Sequence, residues 1–142
     1  MPEPTPSPIP IAADGPIRAV MSAGAVTVDA RVTLRTLAAV LSELGIGAAV
    51  LPRPAGEAAV VSERDIVRAL AEGADPDEVW ADDVAADDLV TAEPEEAVGA
   101  VAARMAAEGV RHIAVVERGT IIGVVSARDV LPVLAANMNA GF

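Results

Sequence analysis

The sequence predicts an α+β protein built from two similar halves. The hexapeptide VVSERD at residues 60–65 recurs, with one change, as VVSARD at residues 124–129. The same offset aligns Ala38-Ala39 with Ala102-Ala103 and Gly45 with Gly109, without a gap. One period repeated twice is too short for a solenoid, so we expect two half-domains packed face to face.

The first half, residues 17–73, is predicted to contain a strand, a helix, two strands and a second helix. It opens on the apolar segment 17–21, followed by a β-branched strand at 25–28. Leucines at positions 34, 37, 41 and 44 have helical spacing, which predicts a helix over residues 31–44 with Gly45 as its left-handed C-cap. Apolar runs at 48–51 and 58–61 predict strands, and Ser62 begins a helix that extends to about Glu72.

The second half, residues 81–136, is predicted to repeat that order. Segment 79–84 corresponds to the opening turn and residues 89–91 to the first strand. An apolar stripe of Val98, Val101 and Met105 predicts the helix before Gly109. Strands follow at 113–116 and 121–125, and a last helix runs from Ser126 towards Ala136.

Three further segments complete the predicted organisation. Residues 1–16 contain five alternating prolines and are expected to form an extended, disordered tail. An acidic linker is expected at 74–80, because the acidic stretch there lacks the glycine-centred calcium-loop pattern. Residues 137–142 form a C-terminal tail.

Charge and composition exclude several classes of function. The net charge is −11 and all ten basic residues are arginine, so the chain lacks the positive surface that supplies nonspecific nucleic-acid affinity. There is no cysteine, which excludes disulfides and thiolate chemistry, and no apolar run is long enough for a membrane helix. We therefore expect a cytoplasmic protein that binds neither nucleic acid nor membrane. The 53% hydrophobic content suggests that some surface is buried in a homodimer.

The doubled unit resembles the CBS-domain family, named for cystathionine β-synthase. The resemblance rests on the two Val-Val-Ser-x-Arg-Asp motifs and on Gly-Val-Arg-His-Ile-Ala-Val-Val at residues 109–116, and it covers residues 17–136. It implies a stand-alone tandem pair, or Bateman module, in which two β-α-β-β-α repeats pack through their sheets about a pseudo-twofold axis. It also implies dimers of modules and two clefts that bind adenine nucleotides or related adenosyl compounds.

Carried onto this sequence, the family pattern assigns three sets of ligand-binding residues. The Ser-x-x-Asp motifs, Ser62–Asp65 and Ser126–Asp129, would place Asp65 and Asp129 on ribose hydroxyls. Basic residues would meet phosphate, namely Arg64, Arg111, His112 and Arg128. Small and apolar residues would enclose the adenine, namely Val26, Thr27, Ile46, Val90, Thr91, Val110 and Ile113.

The chemistry of the motif allows two interpretations. An ionised carboxylate can accept hydrogen bonds from both vicinal hydroxyls of a ribose. A Ser followed three residues later by an acid is also close to a capping box, in which the two residues only close the helix N-terminus. Two matching copies, each with Arg before the Asp, favour ribose binding in at least one cleft, and the serine can serve both roles.

The two copies predict unequal clefts. The second half carries Arg111-His112 where the first has Gly47-Ala48, so the cleft that uses Asp129, Arg128 and His112 is expected to be the better polyphosphate site. Ala59 replaces Gly123, which we expect to crowd the first strand where a ligand approaches.

Three functions are weighed on this basis. The leading hypothesis is a regulatory module that senses an adenosine-containing ligand and requires no cofactor. The alternative is a ligand-free adaptor dimer that binds an unidentified protein partner. An enzyme is not expected, because the sequence shows no catalytic triad motif, metal-ligand cluster or Walker-type phosphate loop.

Overall fold

The structure, a computed structural model, describes residues 12–23, 26–53, 58–85 and 89–140. Most of the proline-rich tail, residues 1–11, therefore lies outside the described residues. Three shorter segments also lie outside the described residues. They are the start of the first predicted strand, residues 54–57 of the loop between the next two strands, and residues 86–88 at the end of the acidic stretch. The described chain has mixed helix and strand content, and the α+β class predicted from the sequence is confirmed.

The first half contains two helices and a hairpin. Helix α1 spans Leu34–Leu44 and ends at Gly45, whose φ of 64° gives the left-handed C-cap expected from the sequence. Strands β2 (Ala48–Leu51) and β3 (Ala59–Ser62) pair in antiparallel fashion, and α2 (Glu63–Ala71) follows at once. Helix α1 begins three residues later than predicted, because Thr33 adopts an extended conformation and caps it by accepting a hydrogen bond from Thr36 N–H.

The second half has a longer hairpin and a longer last helix. A short helix α3 (Ala81–Val84) and strand β4 (Thr91–Ala92) precede α4 (Val98–Glu108), β5 (His112–Glu117) and β6 (Thr120–Ser126). Helix α5 (Ala127–Ala140) extends beyond its predicted end at residue 136, so the predicted C-terminal tail begins as helix. The Asn137 side chain, on this extension, donates to Val133 O and accepts from Ala13 N–H.

Strand register repeats with the offset of the sequence. Ala48 pairs with Ser62 in the first half, and His112 pairs with Ser126 in the second. The parallel pairing repeats as well, since Thr27 bridges Val50 and Thr91 pairs with Ala114. The internal repeat therefore extends from the sequence to the backbone hydrogen bonding.

The segments that precede the two halves are exchanged between them. Pro16 bridges Ala97 of the second half, and the corresponding residue of the second half, Trp80, bridges Thr33 of the first. Each half thus gives its preceding segment to the other half. Such reciprocal pairing is the pattern that a twofold axis produces. The exchange was not expected from the sequence, which placed residues 17–21 with the first half and residues 12–16 in the tail.

Each exchanged segment contributes to the other half's core. Ile17, fully buried, packs in the cluster that contains Val98, Val101 and Ile113. Its counterpart Ala81, also fully buried, packs in the cluster of the first half. Strand β1 (Ser22–Ala23) then joins the second half as well, giving a sheet of order β1-β6-β5-β4 beside the hairpin β2-β3.

Candidate functional site

A cleft of about 1380 Å³ is lined by both halves. This volume exceeds the 300–1,000 Å³ typical of small-molecule pockets, so it has room for a nucleotide. The first half supplies parts of α1, of the α1–β2 turn and of α2. The second half supplies the residues before β5, the end of β6 and the first turns of α5. The lining residues are Ser22, Val26, Ala38, Leu41, Ser42, Gly45, Ile46, Gly47, Ala48, Glu63, Ile66, Val67, Arg111, His112, Val124, Ser126, Ala127, Arg128, Asp129, Leu131, Pro132 and Ala135.

Both Ser-x-x-Asp motifs form capping boxes. Ser126 N–H donates to Asp129 Oδ2 at 2.8 Å, and Asp129 N–H donates to Ser126 Oγ at 3.2 Å. Ser62 and Asp65 make the same pair of bonds at 2.7 and 3.3 Å. Within the described residues the cap uses only Oδ2 of Asp129, so Oδ1 has no protein hydrogen bond. The capping role therefore leaves one carboxylate oxygen of Asp129 available at the cleft.

Arg111 and Arg128, two arginines of the cleft, lack an ion-pair partner among the described residues. Arg18, Arg35, Arg53 and Arg104 form ion pairs with carboxylates elsewhere on the surface. Across the described ranges, neither Arg111 nor Arg128 forms an ion pair, and both line the cleft and are exposed. A guanidinium in this state is available to bind an anionic group.

The His112 side chain interacts electrostatically with charged residues of both halves. An added Cβ at Gly47 would lie 2.9 Å from His112 Nε2 and 3.5 Å from Glu63 Oε1, so the imidazole packs against the Gly47 backbone, close to Glu63. Burial lowers the pKa of His112, although the carboxylates of Glu63, Asp129 and Asp65 each oppose that effect. Burial of the side chain therefore favours the neutral imidazole.

Seven of the fifteen residues predicted to bind ligand line this cleft. They are Val26, Ile46, Arg111, His112, Ser126, Arg128 and Asp129. Of the others, Ser62, Arg64 and Asp65 lie at the start of α2 outside the lining, Thr27 is exposed, and Ile113 is in the core. Val90 and Val110 pack against that core, which belongs to the second half, and Thr91 lines a separate small cavity of about 250 Å³.

Two features of the cleft were missed or misread in the sequence. Glu63 lines the cleft, and the available signal was that it is the one position where the repeated hexapeptides differ. The interpretation of Gly123 as a point of ligand approach was wrong. An added Cβ there would lie 2.7 Å from Met21 Sδ and 2.9 Å from Ser22 O, so the glycine accommodates strand β1.

Apolar side chains of three helices form much of the wall. Leu41 of α1, Ile66 of α2 and Leu131 of α5 are among them. Pro132, also in the wall, lies inside α5 and has no N–H for the carbonyl of Arg128. Among the described residues there is no group of three or more metal-ligating side chains. None of the helices described is long and apolar enough to cross a membrane.

Comparison with known proteins places these features in one family. The family model for the CBS domain matches residues 81–136. An uncharacterized protein of Methanopyrus kandleri is 32% identical over 96 residues, which is 66% of this chain and 49% of that protein. The chain thus spans about half the length of that relative.

Solved structures match over most of the chain. A CBS domain protein from Pyrobaculum aerophilum, complexed with AMP, is 30% identical with a TM-score of 0.75, and the match covers 87% of this chain and 98% of that one. A CBS domain pair in complex with 5′-methylthioadenosine and S-adenosyl-L-methionine has a TM-score of 0.76 at 18% identity, covering 86% and 97% of the two chains. These likenesses extend to both halves of the fold.

Proposed function

Because this chain belongs to the CBS-domain family, we propose that it is a regulatory module that senses an adenosine-containing ligand in the cleft at Asp129. The ligand would be AMP, ADP, ATP or a related adenosyl compound. One observation carries the proposal: the cleft combines an available carboxylate oxygen on Asp129 with two arginines that form no ion pair among the described residues.

Each part of such a ligand has a complementary group in the cleft. Oδ1 of Asp129 would accept hydrogen bonds from the ribose hydroxyls while Oδ2 keeps the helix capped. Arg111 and Arg128 would bind a phosphate or carboxylate at the 5′ end. The apolar wall, which includes Val26, Ile46 and Leu41, would enclose the adenine.

Ligands of similar proteins support this chemistry. The Pyrobaculum aerophilum protein, 30% identical to this chain over nearly its whole length, was solved with AMP. The CBS pair solved with 5′-methylthioadenosine and S-adenosyl-L-methionine shares the fold at 18% identity. Adenosine is the part common to all three compounds, which is why the proposal names it and leaves the 5′ group open.

We further propose that ligand binding is unequal between the two motifs. Asp65 has the same cap as Asp129, but it lies outside the cleft lining, and its half offers Gly47-Ala48 where the other offers Arg111-His112. The first motif then acts mainly as a helix cap. Ligand-dependent regulation would arise because the ligand binds one arrangement of the two halves more tightly than another.

We expect the module to form a homodimer through α2 and α5. Val67 and Leu131, which are corresponding residues of these helices, are 64% and 61% exposed. Large apolar side chains exposed at equivalent positions are typical of an association surface. The same surface favours the alternative function, a ligand-free adaptor that binds a protein partner through these helices.

Titration with a panel of adenosine compounds separates the two functions. A ligand at 100 times its Kd adds about 2.7 kcal/mol to the stability of the protein that binds it. We expect at least one of AMP, ATP, 5′-methylthioadenosine and S-adenosylmethionine to raise the melting temperature by an amount that corresponds to this free energy. We also expect the compound to be recovered unchanged. Absence of a shift with every compound would favour the adaptor, and conversion of the compound would favour an enzyme.

A further inference from the structure

The acidic residue Glu63 is the one side chain that distinguishes the two hexapeptide motifs. It stands where the second motif has Ala127, and both residues line the same cleft. Glu63 is exposed, and among the described residues it has no ion-pair partner. Its Oε1 and His112 Nε2 both lie close to the position of an added Cβ at Gly47, at 3.5 and 2.9 Å. The carboxylate is therefore close enough to the imidazole of the site to interact with it electrostatically.

Glu63 changes the charge balance of the cleft. Arg111 and Arg128 contribute two positive charges, and Asp129 contributes one negative charge. With a neutral His112, the cleft would carry one net positive charge if Glu63 were an alanine like its counterpart. The carboxylate of Glu63 cancels that charge. A ligand with a long polyphosphate thus meets a cleft that has no excess of positive charge.

We propose that Glu63 is a specificity-determining residue that makes the cleft favour adenosyl ligands with little negative charge over nucleoside triphosphates. This inference rests on the proposed function and refines it, because it names the charge class of the 5′ group. It differs from the expectation, drawn from the sequence, that this cleft is the better polyphosphate site. A nucleoside, a monophosphate or a zwitterionic 5′ substituent fits the charge balance, whereas ATP adds two negative charges to those of AMP.

The expected size follows from Coulomb's law. At a separation of about 8 Å and an effective dielectric constant of about 40, each pair of like charges changes affinity roughly fivefold. Removing the charge of Glu63 should therefore strengthen ATP binding by at least roughly fivefold and AMP binding by less. Binding of adenosine, which is uncharged, should change by less than about twofold. The effect on ATP should shrink at high salt, because salt screens exposed charges.

The test compares the wild type with Glu63→Gln, which keeps the shape of the side chain. Glu72→Gln is a matched control: it removes one charge from the residue that caps the same helix at its C-terminus, outside the cleft lining. Calorimetric titration of each protein with adenosine, AMP and magnesium-free ATP gives the nine affinities required. Repeating the titrations at two salt concentrations separates an effect of charge on affinity, which salt screens, from an effect of side-chain shape, which salt does not screen.

The outcomes distinguish this inference from the proposed function. The inference is supported if AMP binds the wild type more tightly than ATP and Glu63→Gln selectively raises the affinity for ATP. It is overturned if ligands bind but the ATP affinity is the same in the wild type and in Glu63→Gln, or if Glu72→Gln gives the same gain. Absence of binding by all three compounds, in every protein, would overturn this inference, and only the additional absence of binding by 5′-methylthioadenosine and S-adenosylmethionine would overturn the proposed function as well.

Discussion

Truncation of Ile17 tests the exchange of segments between the two halves. Ile17 belongs to the first half by sequence, but its fully buried side chain packs with Val98 and Val101 of the second half. Replacing a fully buried Ile by Ala costs about 2–5 kcal/mol, because the transfer free energy of the lost methyl and methylene groups adds to that of the cavity left behind. Ile17→Ala should therefore remove a large fraction of a stability that is typically 5–15 kcal/mol.

The location of the loss is as informative as its size. In a chain of this length, 3 kcal/mol lowers the melting temperature by about 10 °C. Native-state hydrogen exchange should show the loss of protection in α4, β5 and β6, all at least 81 residues away in sequence. Leu44→Ala is the control, because Leu44 is 56% exposed and its truncation should cost less than about 0.5 kcal/mol. Protection lost in α1 and β2, with the second half unchanged, would refute the exchange.

Three shorter predictions concern glycine positions and pH. Gly123→Ala should destabilise the protein by about 1–3 kcal/mol, because its Cβ would lie 2.9 Å from Ser22 O; an unchanged denaturation midpoint would contradict this packing. Gly47→Ala should displace the His112 imidazole and weaken ligand binding several-fold with little loss of stability, and retention of wild-type affinity by calorimetry would count against that geometry. Since burial lowers the pKa of His112, the unfolded chain takes up a proton first, so stability should fall as pH decreases through about 6.5 and on to the lower folded pKa. His112→Gln should remove that part of the pH dependence in thermal melts, and an unaltered pH profile would argue against a buried neutral imidazole.

The local elements were predictable because their signals lie within a few residues. Leucines at helical spacing and Gly45 defined the body and end of α1, and Ser62 marked the start of α2. The repeated hexapeptide predicted two halves with the same order of elements, and the strand registers in the structure repeat as well, at Ala48–Ser62 and His112–Ser126. These features depend on backbone propensity and capping, which act over one or two turns.

The exchange of segments was not predictable in the same way. Ile17 is an apolar residue with no local indication of which half it packs against, because that choice depends on long-range packing. Gly123 shows the same limit. The sequence indicated a close approach at this residue, but only the structure shows that strand β1, at Met21 and Ser22, makes that approach.

The cleft was only partly predictable for a related reason. Arg128 and Asp129, which belong to the second motif, were predicted to share one cleft, and both line the cleft of the structure. Glu63 was not named, because it enters the same cleft from the other half and its proximity to His112 depends on how the halves face each other. The net charge of a cleft that two halves share can be determined only when the relative positions of both halves are known.

The most direct test of the ligand-sensing account compares Asp129→Asn with Asp65→Asn in a calorimetric titration with the adenosine compound that binds the wild type. Both substitutions alter the same kind of helix cap, so capping effects on the two proteins should be similar. A hydrogen bond to a charged group contributes about 1.5–3 kcal/mol. We predict that Asp129→Asn weakens binding at least tenfold and that Asp65→Asn weakens it less than threefold. Equal losses at the two positions, or undiminished binding by Asp129→Asn, would contradict the account.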